Sequence, residues 1–169
     1  MSISRKVMLL GEIGVGKTSI VQRLVFDRFE LSYKPTIGVD VYRYDVPPVP
    51  GRDQMSLIVW DTDGNFGEAI FKHVYLKQAS AAIVIGDITR RDTLETMIRL
   101  GQGFREALPG RHVSFVLNKA DLLGSTRSIE LPDALVKFGI EPYLTSAKTG
   151  ENVEKAFIEA ADAISRRGQ

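Results

Sequence analysis

A chain of 169 residues with 44% apolar and 25% charged side chains is long enough to bury about two thirds of its unfolded surface in one domain, and too apolar to stay disordered. Twenty-two Lys and Arg against 21 Asp and Glu leave a formal charge of +1, which argues against a broad cationic surface for nucleic acid. Zero cysteines exclude a disulfide framework and fit a reducing cytoplasmic setting; no apolar run reaches the roughly 20 residues that span a bilayer, Ser2 stands where myristoylation needs glycine, and no cysteine near the end offers a prenylation site, so a monomer without a direct lipid anchor is expected.

The first element is an apolar strand over residues 4–10, ending in Val7-Met8-Leu9-Leu10. "GEIGVGKT" follows immediately, from Gly11 to Thr18, and then a helix over 17–27. This is the pattern of glycine, four residues, glycine, lysine and a hydroxyl residue. Its glycines let backbone N–H groups turn inward around phosphate oxygens, Lys17 supplies a point charge, Thr18 can ligate magnesium, and the helix adds its positive end. Gly11, Gly14, Val15, Gly16, Lys17, Thr18 and Ser19 are therefore candidate nucleotide-binding residues.

Strands over 37–46 and 54–60 come next, joined by "PPVPGRD" with no helix between them. They read as an antiparallel hairpin at a sheet edge, where proline is tolerated. A helix is expected over 66–78, a strand over 81–86, a helix over 91–107 and a strand over 112–117. "LNKADLL" ends that strand. The carboxylate of Asp121 can accept two hydrogen bonds from the N1–H and exocyclic amine of guanine, donors that adenine lacks on that edge, and Asn118 and Lys119 stand beside it. A helix over 131–138 and a strand over 140–144 lead to "TSAKTG", where Ser146, Ala147 and Lys148 would meet the base from its other side. A helix over 150–166 closes the chain. Strands alternating with helices predict an α/β fold, a mostly parallel sheet covered on both faces, with ligands at the carboxyl ends of its strands.

With these motifs in order, and with "YKPTIGVD", "WDTDG" and "TSAKTGENVEKAF" between and after them, the sequence resembles the Ras-like small GTPases, the Rab-type branch most, over nearly its whole length. The resemblance implies a P-loop NTPase with a six-stranded sheet of the Ras type, binding GTP or GDP with Mg2+ in a single domain over residues 1–169. It also implies roles by position. Phe29 would lie against the guanine ring, Thr36 would bind magnesium and sense the γ-phosphate, Asp61 would hold magnesium through water, and Gly64 would give the γ-phosphate a backbone N–H. Two loops would be ordered by GTP and released after hydrolysis, presenting effector and regulatory proteins with an apolar patch of Val41, Trp60 and Tyr75. A core position for Val41 is the alternative.

Three departures surround the γ-phosphate. Asn65 replaces the family's water-orienting glutamine and is one methylene shorter, which puts its reach in doubt. Asp63 replaces alanine; a carboxylate about 4 Å from a phosphate oxygen costs on the order of 4 kcal/mol at an effective dielectric of 20 unless a cation compensates. Three fates are open to it: turning away, binding a magnesium-bound water, or taking part in deprotonating the attacking water. Ile13 replaces a small residue and would crowd the space shared by that water-positioning group and any inserted arginine. Lys17, Thr36, Asp63, Gly64 and Asn65 form the candidate catalytic set, and slow intrinsic hydrolysis is the expectation. Lys34 is either a solvated loop lysine or a cation near the γ-phosphate in cis, and His73 a surface or partner-facing residue. A non-hydrolysing GTP-binding docking module is the competing reading; an ATP-dependent kinase is disfavoured by Asn118, Lys119 and Asp121.

Overall fold

The computed structural model describes residues 2–30, 38–62 and 75–168. Its elements are β1 (Ile3–Gly11), α1 (Lys17–Phe26), β2 (Val39–Asp45), β3 (Met55–Thr62), β4 (Ala81–Asp87), α2 (Arg91–Ala107), β5 (His112–Asn118), α3 (Asp133–Lys137), β6 (Tyr143–Leu144) and α4 (Val153–Arg166). The six strands form one sheet in the order β2-β3-β1-β4-β5-β6. Only the pairing of β2 with β3 is antiparallel, with Val41 opposite Trp60; β1–β3, β1–β4, β4–β5 and β5–β6 are all parallel. The hairpin expected at an edge is thus found there, with β2 outermost.

A parallel strand covered on both faces has no polar side to show, which is why its sequence runs apolar without a break. Val7 and Leu9 belong to one core, packed under α1 and α4 through Ile20, Val21, Phe157 and Ile164. Met8 and Leu10 belong to the other, packed under α2 and α3 through Leu94, Met97, Phe104 and Leu135. All four strand residues are essentially inaccessible, so each contributes about 1.5–3 kcal/mol by burial.

Most boundaries shift by one to three residues, α4 for one starting at Val153 rather than 150, and three elements need comment. The last strand shrinks from 140–144 to two residues, because only Tyr143 and Leu144 reach the ladder, beside Val116 and Leu117, and Pro142 before them has no N–H to give. The helix expected over 131–138 keeps five residues after Pro132. Of the helix expected over 66–78, residues 66–74 lie outside the described residues, and 76–78 form a bend and a turn.

Candidate functional site

The carboxyl ends of β1, β3, β4 and β5 bring together the segments that carry the motifs. The loop from Gly11 to Lys17 leaves β1 here and can only be built with glycine at two points. A Cβ on Gly11 would stand 2.4 Å from the Ile85 carbonyl oxygen, and one on Gly16, whose φ is +99°, would stand 2.3 Å from Asn118 Nδ2. Val15 is fully buried in the first core, so its side chain anchors the loop and only its backbone can face a ligand.

Five consecutive carbonyls of this loop each accept a hydrogen bond from a side chain. Lys17 Nζ donates to Gly11 O at 2.9 Å and Glu12 O at 3.1 Å. Arg90 Nη1 donates to Ile13 O at 3.0 Å, Lys119 Nζ to Gly14 O at 3.0 Å and Asn118 Nδ2 to Val15 O at 3.0 Å. Each carbonyl so engaged turns the N–H of the same trans peptide to the opposite side. The Ile13 N–H bonds the Glu12 carboxylate at 3.3 Å and the Val15 N–H reaches the Glu12 carbonyl at 3.5 Å, and a loop whose other amides are aimed by engaged carbonyls is suited to anions.

Below Lys17, Thr18 Oγ1 donates to Asp61 Oδ2 at 2.5 Å. Asp61 is completely buried, and its Oδ1 has no hydrogen-bond partner among the described residues. Burial raises its pKa to about 6, against the lowering effect of the Thr18 hydroxyl and the Lys17 charge. A buried carboxylate with a spare oxygen beside a hydroxyl is a hard-oxygen donor set, which fits Mg2+. These residues would hold such an ion through oxygen, and the ion would supply charge neutralisation for a bound polyphosphate.

On the other side of the loop, Asn118 acts as a cross-brace. Besides its bond to Val15 O, its Oδ1 accepts from Thr145 Oγ1 and from Ala147 N, both at 3.2 Å. Asp121 is exposed, and its Oδ1 accepts from Ser146 Oγ at 2.7 Å, which orients the carboxylate. Lys119, held at φ +67°, also pairs with Asp87 Oδ2 at 2.7 Å. Burial opposes ionisation of Asp87, but Lys119 and the Thr89 hydroxyl and N–H outweigh it and hold its carboxyl below the usual range. Lys148 is exposed, while Ser19 and Phe29 are half-buried.

Ile13 is 36% exposed at the loop tip, packed into neither core. Val41 is 52% exposed, which sets aside a core position for it. Trp60, its partner across the hairpin, makes an edge contact with Tyr75 at 6.3 Å between ring centres, and Lys6 Nζ lies 3.8 Å over the Trp60 ring. Thr36, Asp63, Gly64 and Asn65, together with Lys34 and His73, lie outside the described residues.

Four residues that sequence reasoning did not name hold the site together: Asp87, Arg90, Thr96 and Arg23. Thr96 Oγ1 donates to Glu12 Oε2 at 3.1 Å, and Arg23 on α1 donates to Ala147 O at 2.8 Å and Lys148 O at 2.6 Å. A charged residue directly after a buried strand, as at Asp87, was the one signal available.

Among known sequences, the model of the Ras family matches residues 6–166. Ras-related protein Rab-31 of Homo sapiens is 35% identical over 156 residues, covering 90% of this chain and 78% of that protein. GTP-binding protein ypt5 of Schizosaccharomyces pombe is 34% identical over 170 residues, covering 97% and 79%. Ras-related protein Rab-22A of Canis lupus familiaris is 33% identical over 169 residues, covering 96% and 82%. No helix among the described residues is long and apolar enough to cross a membrane.

Proposed function

Because this chain belongs to the Ras family, as a Rab-like member and so a small GTP-binding switch of a GTPase family, we propose that it binds GTP and GDP with Mg2+ in the cleft at the strand ends and hydrolyses GTP slowly. The observation that carries the binding reading is the double engagement of Asn118. One side chain grips the phosphate loop at Val15 O and the 145–148 loop at Ala147 N, so a single ligand with a phosphate end and a base end would span the two. Gly11, Gly14, Val15, Gly16 and Ser19 would cradle phosphates, with Lys17 as counter-charge. Thr18, Thr36 and Asp61 would hold the metal. Asp121, oriented by Ser146 and flanked by Ala147 and Lys148, would read guanine, with Phe29 against the ring and Lys119 along it.

The slow rate is argued from Asn65, Asp63 and Ile13. An exposed isoleucine at the loop tip takes room beside the γ-phosphate position, and a shorter amide and an added carboxylate both disfavour the positioned water. The reading calls for a GTP state that persists and responds poorly to an inserted arginine. The contiguous, partly exposed Val41, Trp60 and Tyr75 support a surface for effector and regulatory proteins, whose binding would follow the nucleotide state.

Calorimetry on nucleotide-stripped protein with magnesium tests the binding: GTP and GDP should bind at micromolar levels or tighter and ATP should not. Indifference to both guanine nucleotides would remove the reading. A single-turnover assay tests the rate, and unaided loss of bound GTP within a few minutes refutes slow hydrolysis. Retained GTP in freshly purified protein would favour a docking module that does not hydrolyse, and GDP would favour the enzyme.

A further inference from the structure

We propose that Arg90 is a positioning residue of this nucleotide site: its guanidinium holds the Ile13–Gly14 peptide so that the Gly14 N–H faces the bound phosphates. The inference rests on the nucleotide-binding reading above and adds a residue outside the phosphate-loop and base-reading motifs. Two consecutive peptides at the loop tip are held by different partners. In the first, the Glu12 carbonyl accepts from Lys17 Nζ, while the Ile13 N–H turns away to the carboxylate of Glu12 at 3.3 Å. In the second, the Ile13 carbonyl turns to Arg90, so the trans geometry of that peptide points the Gly14 N–H away from the guanidinium.

The grip is rigid at its base. Arg90 N donates to Asp87 O at 3.0 Å, and Thr93 Oγ1 donates to Arg90 O at 2.6 Å, which fixes the residue to the end of β4 and the start of α2. Asp92 lies 3.4 Å from Nη2 and steers the guanidinium without burying it. Thr96 ties Glu12 to the same helix, so the tip is held at two points on α2. A charged donor on a carbonyl also polarises the peptide, which strengthens whatever bond its N–H makes.

The test compares wild type, Arg90→Ala, Arg90→Lys and Arg91→Ala, the last removing an equal charge from the adjacent exposed position. Nucleotide affinity is measured by calorimetry with GDP and GTP, and the Gly14 amide is followed by NMR in the nucleotide-bound and nucleotide-free protein. Expected are a roughly 3- to 10-fold loss of affinity in Arg90→Ala, the scale of part of a charge-assisted hydrogen bond, partial recovery in Arg90→Lys, and no loss in Arg91→Ala. The Gly14 amide proton should move upfield in Arg90→Ala with the melting temperature of the nucleotide-free protein kept. Wild-type affinity in Arg90→Ala, an equal loss in Arg91→Ala, or an unmoved Gly14 amide would each overturn the assignment. If wild type itself binds neither nucleotide, the parent reading fails instead, and the Gly14 amide of the nucleotide-free protein still decides whether Arg90 holds that peptide.

Discussion

The two ends of the sheet bury polar groups in different ways. At the carboxyl ends of the strands lie Lys17, Asp61, Asp87 and Asn118, all nearly inaccessible; at the opposite ends the polar residues buried to that degree, among the described residues, are Ser56, Ser80 and Ser114. Charge does occur at the lower pole, where Arg52 of the hairpin meets Asp162 of α4 at 2.5 Å, and its second nitrogen donates to the Pro47 carbonyl. That pair neutralises itself. At the upper pole Lys119 likewise pairs with Asp87, but Lys17, Arg90 and Lys119 are also tied to loop carbonyls, and Asp61 keeps an oxygen without a partner among the described residues. Burying charge costs several kcal/mol per ion unless it is compensated. Arg5 Nε and Ser114 Oγ toward the lower pole also lack partners among the described residues, so an unpaired atom alone does not mark a ligand site; a buried carboxylate with a spare oxygen beside Thr18 and Lys17 does.

The sharpest way to break this contrast is at the base-reading carboxylate. Asp121→Asn exchanges an acceptor pair for one acceptor and one donor, so affinity for GTP should fall on the order of 100- to 1000-fold, while xanthosine triphosphate, whose ring offers the complementary pattern, should gain. Competition calorimetry with the two nucleotides reads the exchange. Unchanged preference would return the kinase reading to consideration. Asn118→Ala comes next, because it frees the Val15 carbonyl, the Ala147 N–H and the Thr145 hydroxyl at once. A loss of about 2–3 kcal/mol of stability is expected, from buried groups left unsatisfied, together with at least about tenfold weaker nucleotide binding. Urea midpoints and calorimetry should move together, since one side chain serves both.

The lower pole should behave otherwise. The Arg52 side chain is 5% exposed and that of Asp162 34%, so Arg52→Ala leaves a half-covered carboxylate and should cost about 1–3 kcal/mol of stability. Nucleotide affinity should stay within about twofold, because distant sites with no shared partners act additively. A fall in affinity comparable to that of Asn118→Ala would show that the two poles are coupled, and would erase the distinction between self-neutralised pair and ligand site.

What could be read from the sequence follows the same division. The strand and helix order and the loop at Gly11–Thr18 were legible because their signals are local: apolar runs of strand length, glycines at fixed spacing, a lysine beside a hydroxyl. The exposure of Val41 was undecided, since a lone apolar residue in an edge strand looks alike on either face. The contacts made by the braces were not legible, although Asn118 was a candidate by its motif and Asp87 a charge at the end of a buried strand. Arg90 reaches Ile13 across 77 residues and Asn118 reaches Val15 across 103, contacts that exist only because β4 lies between β1 and β5 in the sheet. Periodicity identifies strands without saying which are neighbours, so Arg90 looked like an ordinary residue at the start of a helix.

His112 offers the most selective effect, again at the lower pole. Burial, and after it the nearby Arg167 and Arg166, push its pKa down to about 4 from the ordinary 6.5. Between those values the unfolded chain binds more protons than the folded one, so stability rises with pH across this window; the contribution is complete above about 6.5 and is lost as pH falls toward about 4. One proton limits the slope to about 1.4 kcal/mol per pH unit. His112→Asn should therefore match wild type near pH 7.5 apart from a constant offset and lose less stability on acidification. Asp61 and Asp87 titrate in both proteins and cancel in the difference between their urea midpoints, taken from pH 7.5 to 4.5. Parallel curves over that range would mean that the imidazole takes up its proton as readily in the fold as outside it, and that the C-terminal arginines do not press on this end of β5.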